Sequence, residues 1–173
     1  LESFRHYTTL IQEGGALIIH KDLEMKADVR PGVKVYEYSL NKGDFHAENI
    51  KIHNGEITFD FLSPIESIPD VVLGQPVPIN IENGIAAMAM AQLNGCTANE
   101  IKYGMKTYHG VDRRFDFKIK TDKLVFLSDY AHHPKEIYQS AKSIRELYES
   151  RKITAIFQPH LYTRTRDFYK DFA

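Results

Sequence analysis

The chain has 173 residues, a formal net charge of −1, 43% hydrophobic content and a single cysteine, Cys96. A charge so close to zero excludes a global pull toward nucleic acid or an anionic membrane surface. No apolar run approaches the roughly 20 residues of a spanning helix. One cysteine forbids an internal disulfide, so a reducing, cytoplasmic compartment is expected. Cys96 reads as a small structural residue near a helix end, with a reactive thiol as the alternative. No secretory signal is visible. The chain starts at Leu1 inside one helical pattern and stops at Ala173 inside another, which predicts a piece of a longer protein.

Phe4, Tyr7 and Ile11 share a face at helical spacing, and Gly14-Gly15 is expected to end that helix. Ala16 to Ile19 and Val33 to Leu40 read as strands. Ile50 and Ile52, then Ile57, Phe59 and Phe61, alternate with polar residues around Asn54-Gly55, which predicts a hairpin with a type I′ turn. Val71 to Val77 is expected to be a loop. An alanine-rich helix follows from Ile79, with Asn80 or Asn83 as its cap. The same two amides could instead present hydrogen bonds to a base or phosphate. Thr97-x-x-Glu100 is a capping box for the next helix, whose core stripe is Ile101, Met105 and Tyr108.

A domain boundary is expected at His109 to Phe115. Arg113-Arg114 there is either solvated linker or an anion clamp, since guanidinium forks match phosphate oxygens. Phe115 to Ile119 and Leu124 to Leu127 read as paired strands. Pro134 opens a helix at its first position, with Ile137, Ala141, Ile144 and Tyr148 as its stripe. Lys152 to Phe157 reads as the next strand. If it runs parallel to Leu124–Leu127, the polar clusters after each lie beyond the carboxyl ends of neighbouring strands, where open α/β sheets bind ligands.

Those clusters are Ser128-Asp129-Tyr130-Ala131-His132-His133-Pro134 and Gln158-Pro159-His160-Leu161-Tyr162-Thr163-Arg164-Thr165-Arg166-Asp167. Asp129 ends a strand, where a carboxylate can accept from both hydroxyls of a ribose edge. The histidines either bond loop backbone or ligate metal with Asp129, although no helical His-x-x-x-His spacing occurs. Arg164 and Arg166 sit at the start of a helix with Thr163 or Thr165 as cap, an anion site from both dipole and guanidiniums.

Asp129-Tyr130-Ala131-His132-His133-Pro134 resembles the D-D-Y-G-H-H-P of the Mur ligase family. Gln158 to Thr165 resembles its Q-P-H-R-Y-T-R-T, Asn80-Ile81-Glu82-Asn83 its H-N-x-x-N helix start, and Gly110 to Phe115 its G-x-x-R-R-F. The resemblance implies an α/β fold. Residues 1–111 would be the second half of a central ATP-binding domain without its phosphate loop, and 112–173 the truncated start of a Rossmann-like C-terminal domain. It implies ATP and Mg2+, with the magnesium ligands upstream of Leu1. The partners it implies are UDP-N-acetylmuramic acid and L-alanine, joined through an acyl phosphate. By the same resemblance Asn80 and Asn83 hold the adenine region, Arg114 with Arg113 beside it reaches the phosphates, and Asp129 binds the ribose. Tyr130 and His132 line the alanine pocket, and His160 and Arg164 face the acceptor carboxylate and the nucleotide-sugar phosphates. His132, His160 and Arg164 are thus the expected catalytic residues, and no metal ligand is expected in this stretch. Departures are Ala131 for glycine, Ser128 for an acid, Ile79 for histidine and Leu161 for arginine. The stretch alone is expected to be inactive. Three alternatives are a muropeptide-recycling ligase on the same nucleotide sugar, a metallohydrolase using Asp129, His132, His133 and His160, and a non-catalytic nucleotide-binding module.

Overall fold

The computed structural model describes residues 2–172; Leu1 and Ala173, the outer ends of the two terminal helical runs, lie outside the described residues. In chain order the elements are α1 (Glu2–Thr8), β1 (Ala16–His20), β2 (Lys34–Tyr38), β3 (His46–His53), β4 (Glu56–Leu62), β5 (Ile68–Val72), α2 (Ile79–Leu93), α3 (Ala98–Thr107), β6 (Asp116–Lys120), β7 (Val125–Ser128), α4 (Pro134–Leu147) and α5 (Tyr162–Phe172). The fold is mixed α/β. β1 and β2 pair in parallel, with Ile18 opposite Tyr36. β3, β4 and β5 form an antiparallel sheet in that order, and β6 pairs with β7.

The core follows from the period of two in β4. Ile57, Phe59 and Phe61 point inward and are buried, while the residues between them are partly exposed. Across from them α2 buries Ile81, Ile85, Met88 and Ala89, and Phe45 stacks on Phe61 with ring centroids 5.9 Å apart. Asn54 and Gly55 both take positive φ, 47° and 77°, the backbone that a type I′ hairpin turn demands. The Thr97–Glu100 capping box forms as expected.

Several expectations are corrected. Helix α1 stops at Thr8 rather than at Gly14-Gly15, because the hydroxyls of Thr8 and Thr9 turn back onto the carbonyls of Arg5 and His6, each at 2.7 Å. Phe4 and Tyr7 remain exposed. The stretch from Val71 begins as β5, paired with β4 through Val71 and Phe59. Neither asparagine caps α2: Pro78 occupies the cap position with no side-chain bond, and the Asn83 amide donates to Asn80 Oδ1 at 3.2 Å instead. Tyr108 leaves the α3 stripe because its backbone is already extended at the C-cap, and Cys96 is exposed. Along α4 the expected stripe holds in part: Tyr148 is buried and Ile144 packs against the core, but Ile137 is only partly buried and Ala141 is exposed, while Pro134, Ser143 and Leu147 are buried. The helix is covered at its C-terminal end by the β3–β4 turn, where Gly55 N–H donates to Leu147 O at 3.2 Å. Lys152 to Phe157 forms no strand, and Ile156 is 98% exposed. A strand needs a ladder partner, and among the described residues none lies alongside it.

Candidate functional site

The first group of residues gathers around α2. A cavity of about 460 Å3 separates α2 from α3; its walls include Met88, Ala91, Ile101 and Met105, and Asn80 and Asn83 also line it. An apolar slot with a few amides at its edge suits a flat heteroaromatic ring. The carboxyl ends of the parallel strands β1 and β2 reach the same helix start. Glu82 Oε1 accepts from Leu40 N–H at 3.0 Å and from His20 Nε2 at 2.9 Å. His20 Nδ1 accepts from Asp22 N–H at 3.1 Å, which places the ring proton on Nε2, toward Glu82.

Gln75 joins this cavity to the arginine segment. It lines the cavity, is buried, and its amide donates to the carbonyls of Arg114 at 2.8 Å and Phe115 at 3.0 Å. Sequence reasoning missed it; the signal available was a polar residue between Gly74 and Pro76 in a stretch of otherwise apolar residues. Arg113 and Phe115 both hold left-handed backbone, φ 61° and 48°. Non-glycine residues persist there only when their surroundings over-determine them. Here Tyr130 N–H donates to Arg113 O at 2.6 Å, Arg113 N–H donates to Asp116 Oδ2 at 3.2 Å, and Phe115 N–H donates to Asp129 Oδ1 at 3.4 Å. Asp129 Oδ2 accepts a short hydrogen bond from the Ser140 hydroxyl of α4. The arginine pair and the Asp129 cluster are therefore one hydrogen-bonded body. Each carboxylate oxygen still has a lone pair to offer.

His132 and His133 have different jobs. His132 Nδ1 lies 2.9 Å from Tyr130 O, and a carbonyl only accepts, so Nδ1 carries the proton and Nε2 offers a lone pair. The Tyr130 and His132 rings meet edge to face at 5.2 Å. His133 caps α4: its Nδ1 accepts from Lys135 N–H at 3.3 Å, and Glu136 closes the box on the backbone of His132 and His133. Those bonds, first the one from His132, hold the Glu136 carboxyl below its usual value near 4.5, with the Arg114 charge adding to the effect. The cap is thus fully present above pH 4.5 and is lost as pH falls through the lowered folded value. Glu136→Gln should remove that acid-limb dependence and cost about 1 kcal/mol or less at neutral pH, since the group is partly solvated; urea melts between pH 3 and 7 read both.

Among the described residues no hydrogen bond or ion pair joins His160 or Arg164 to the first cluster. His160 is exposed and Arg164 is half-buried on α5. The recorded aromatic contact between α5 and the first cluster is Phe168 against His133, with ring centroids 4.9 Å apart. Thr165 does not cap α5; its hydroxyl donates back to Leu161 O at 2.9 Å. Among the described residues no three His, Cys, Asp or Glu side chains gather closely enough to hold a metal ion, so the metallohydrolase alternative has no ligand set. No described helix is long and apolar enough to cross a membrane.

Comparison with known proteins bears on this arrangement. Residues 113–173 match the family model described as Mur ligase, glutamate ligase domain. The UDP-N-acetylmuramate–L-alanine ligase of Phocaeicola vulgatus is 67% identical over 173 residues, which is 100% of this chain and 38% of that protein. Its namesake in Parabacteroides distasonis is 56% identical, over 99% of this chain and 37% of that protein. Among solved structures, the UDP-N-acetylmuramate-alanine ligase of Thermotoga maritima superposes with a TM-score of 0.65 at 24% identity, covering 77% of this chain and 31% of that one. The folylpolyglutamate synthetase of Lactobacillus casei gives 0.70 at 18% identity, covering 98% and 45%; at these identities both structures speak to the fold alone. The chain spans about 38% of the length of the curated relatives it matches. From these matches, residues 113–173 carry the Mur ligase, glutamate ligase domain, and the chain along its whole length is similar to one stretch of UDP-N-acetylmuramate–L-alanine ligases.

Proposed function

We propose that this chain serves an ATP-dependent ligase that joins L-alanine to the lactoyl carboxylate of UDP-N-acetylmuramic acid. The observation that carries this reading is the identity of 67% to an alanine ligase across the whole chain. The bonded body of Arg113, Arg114, Asp129, Tyr130 and His132 supports it. The family model beginning at residue 113 favours two units, 1–111 and 112–173.

In this reading the acceptor carboxylate attacks the γ-phosphorus of ATP and ADP departs. The alanine amine attacks the resulting acyl phosphate, a tetrahedral intermediate forms, and its C–O bond breaks to release phosphate. Catalysis is positioning plus neutralisation of charge on the transferring oxygens. The adenine ring enters the α2–α3 slot against Asn80 and Asn83. Asp129 takes the ribose, and Arg114, backed by Arg113, meets the phosphates. Magnesium bound with the nucleotide supplies further neutralisation, and no residue of this chain is assigned as its ligand. Tyr130 and His132 receive alanine, with His132 Nε2 as the lone pair that can take a proton from the amine. His160 and Arg164 face the acceptor carboxylate and the nucleotide-sugar phosphates. The run 152–161, which forms no strand, must pack alongside the Asp129 cluster for them to reach it.

The test is ATP-dependent phosphate release by the full-length protein with UDP-N-acetylmuramic acid and, separately, L-alanine, L-serine, glycine or the muropeptide tripeptide. Release that requires L-alanine is the expected result. Release only with the tripeptide moves the protein to the recycling ligases, and nucleotide binding without release makes it a binding module.

A further inference from the structure

A second cavity, of about 210 Å3, lies far along α4 from the Asp129 cluster, and Asn54, Lys120, Thr121, Asp122, Tyr148 and Arg151 line it. It forms at a seam between the β3–β4 turn, the end of α4 and the β6–β7 hairpin. Gly55 pins the seam from both sides: its N–H donates to Leu147 O at 3.2 Å, and its carbonyl accepts from Lys120 Nζ at 2.9 Å. The approach is close, for a Cβ at Gly55 would meet the Tyr148 hydroxyl oxygen at 2.5 Å.

Tyr148 is the unexplained residue. It is 7% exposed, and its hydroxyl has no hydrogen-bond partner in the structure. Buried hydroxyls are normally paired, so each exception asks for a reason. Burial also pushes the phenol's pKa above its usual value near 10, so the O–H remains a donor at neutral pH. Two cations flank it. The Arg151 guanidinium lies 5.1 Å over the Tyr148 ring and is held there by the carbonyls of Thr121 at 3.3 Å and Asp122 at 3.0 Å. Those bonds use two of its five N–H donors, and Lys120 spends one of three on Gly55. Asp122 brings the one carboxylate to this lining, so the cations outnumber it. A water occupies about 30 Å3 of liquid volume, and the cavity has room for several times that.

We propose that this cavity binds a small free oxyanion of the phosphate type, held by the Tyr148 hydroxyl, the Lys120 ammonium and the Arg151 guanidinium. The site stands apart from the proposed nucleotide residues and does not depend on the ligase reading. Seated at the seam, the anion would tie the β3–β4 turn to the β6–β7 hairpin.

The test is a titration of the full-length protein with inorganic phosphate, and with sulfate as a form that does not protonate, at constant ionic strength and without nucleotide. Binding is followed by phosphorus-31 linewidth for phosphate and by Tm for both anions. Tyr148→Phe keeps the ring beneath Arg151 and removes only the donor, so it should fold normally and weaken both anions about tenfold. Lys120→Met should weaken them at least as much, while Arg114→Ala should leave them unchanged. Equal affinity in the parent, Y148F and K120M would overturn the site. So would loss of binding in R114A alone, which would place the anion among the proposed nucleotide residues, and so would no binding by the parent.

Discussion

Gly110→Ala is expected to destabilise the protein by about 3 kcal/mol and to raise the KM for ATP more than tenfold. Gly110 has φ +85°, and a Cβ there would stand 1.2 Å from Gln75 Oε1 and 2.1 Å from its Cδ. Left-handed backbone costs a residue with a side chain roughly 1–2 kcal/mol. The collision costs more, because Gln75 must leave. Its amide holds the carbonyls of Arg114 and Phe115 at 2.8 and 3.0 Å inside the fold, and each stranded buried group costs about 1–3 kcal/mol. The Gln75 bonds act beside those of Tyr130, Asp116 and Asp129 on the segment in which Arg113 and Phe115 hold positive φ, so releasing them lets the arginine segment relax. A double-mutant cycle isolates the cause. In a Gln75→Ala background the obstructing side chain is gone, and Gly110→Ala should then cost only its backbone term of about 1–2 kcal/mol. Additive losses across the cycle, read from urea melts, would show that Gly110 acts without Gln75 and that the joint works some other way.

Much of the fold is legible where local chemistry and global packing agree. Alternation in Ile57, Phe59 and Phe61, the Asn54-Gly55 turn, the Thr97–Glu100 box and Pro134 at a helix start each state a structure that needs few distant residues to be realised. The failures share a physical cause. Ile153 to Phe157 has strand composition, but strand formation is a property of paired segments, and no described segment pairs with it. Asn80 and Asn83 have the chemistry of caps, yet Pro78 already starts the helix and their amides pair with each other. The α4 stripe holds at Ile144 and Tyr148 but not at Ala141, because the helix is covered toward its C-terminal end by the β3–β4 turn docked at Leu147, a long-range contact that periodicity does not contain. In the candidate site, the motifs marked Asp129 and Arg114 but not the bond that joins their segments. That bond was within reach: pairing Asp116 with Ser128 across β6 and β7 places Phe115 opposite Asp129. Gln75 was marked only as a polar residue in an apolar stretch, and nothing near it in sequence points to its partner 39 residues away.

Asp129 carries a structural duty and a proposed chemical one, and two substitutions separate them. Asp129→Ala leaves Phe115 N–H without its acceptor and the Ser140 hydroxyl without its partner. A loss of about 2–4 kcal/mol is expected from two stranded polar groups, together with a fall in ATP-dependent turnover of about a hundredfold as the Arg113–Arg114 segment comes loose. Asp129→Asn behaves differently. Its carbonyl oxygen still accepts from Phe115, and its amide can donate to the Ser140 oxygen, so stability should stay within about 1 kcal/mol of the parent. The charge is gone, however, and with it the double acceptor that the proposed ribose contact requires. D129N should therefore raise the KM for ATP about tenfold while its melt and its kcat remain near the parent's. If D129N instead restores parental ATP affinity along with stability, the carboxylate is a strut between β6 and α4, and the ribose must be held elsewhere. If D129N unfolds as readily as D129A, the charge itself binds the Arg113–Arg114 segment to α4, and the hydrogen bonds alone are insufficient.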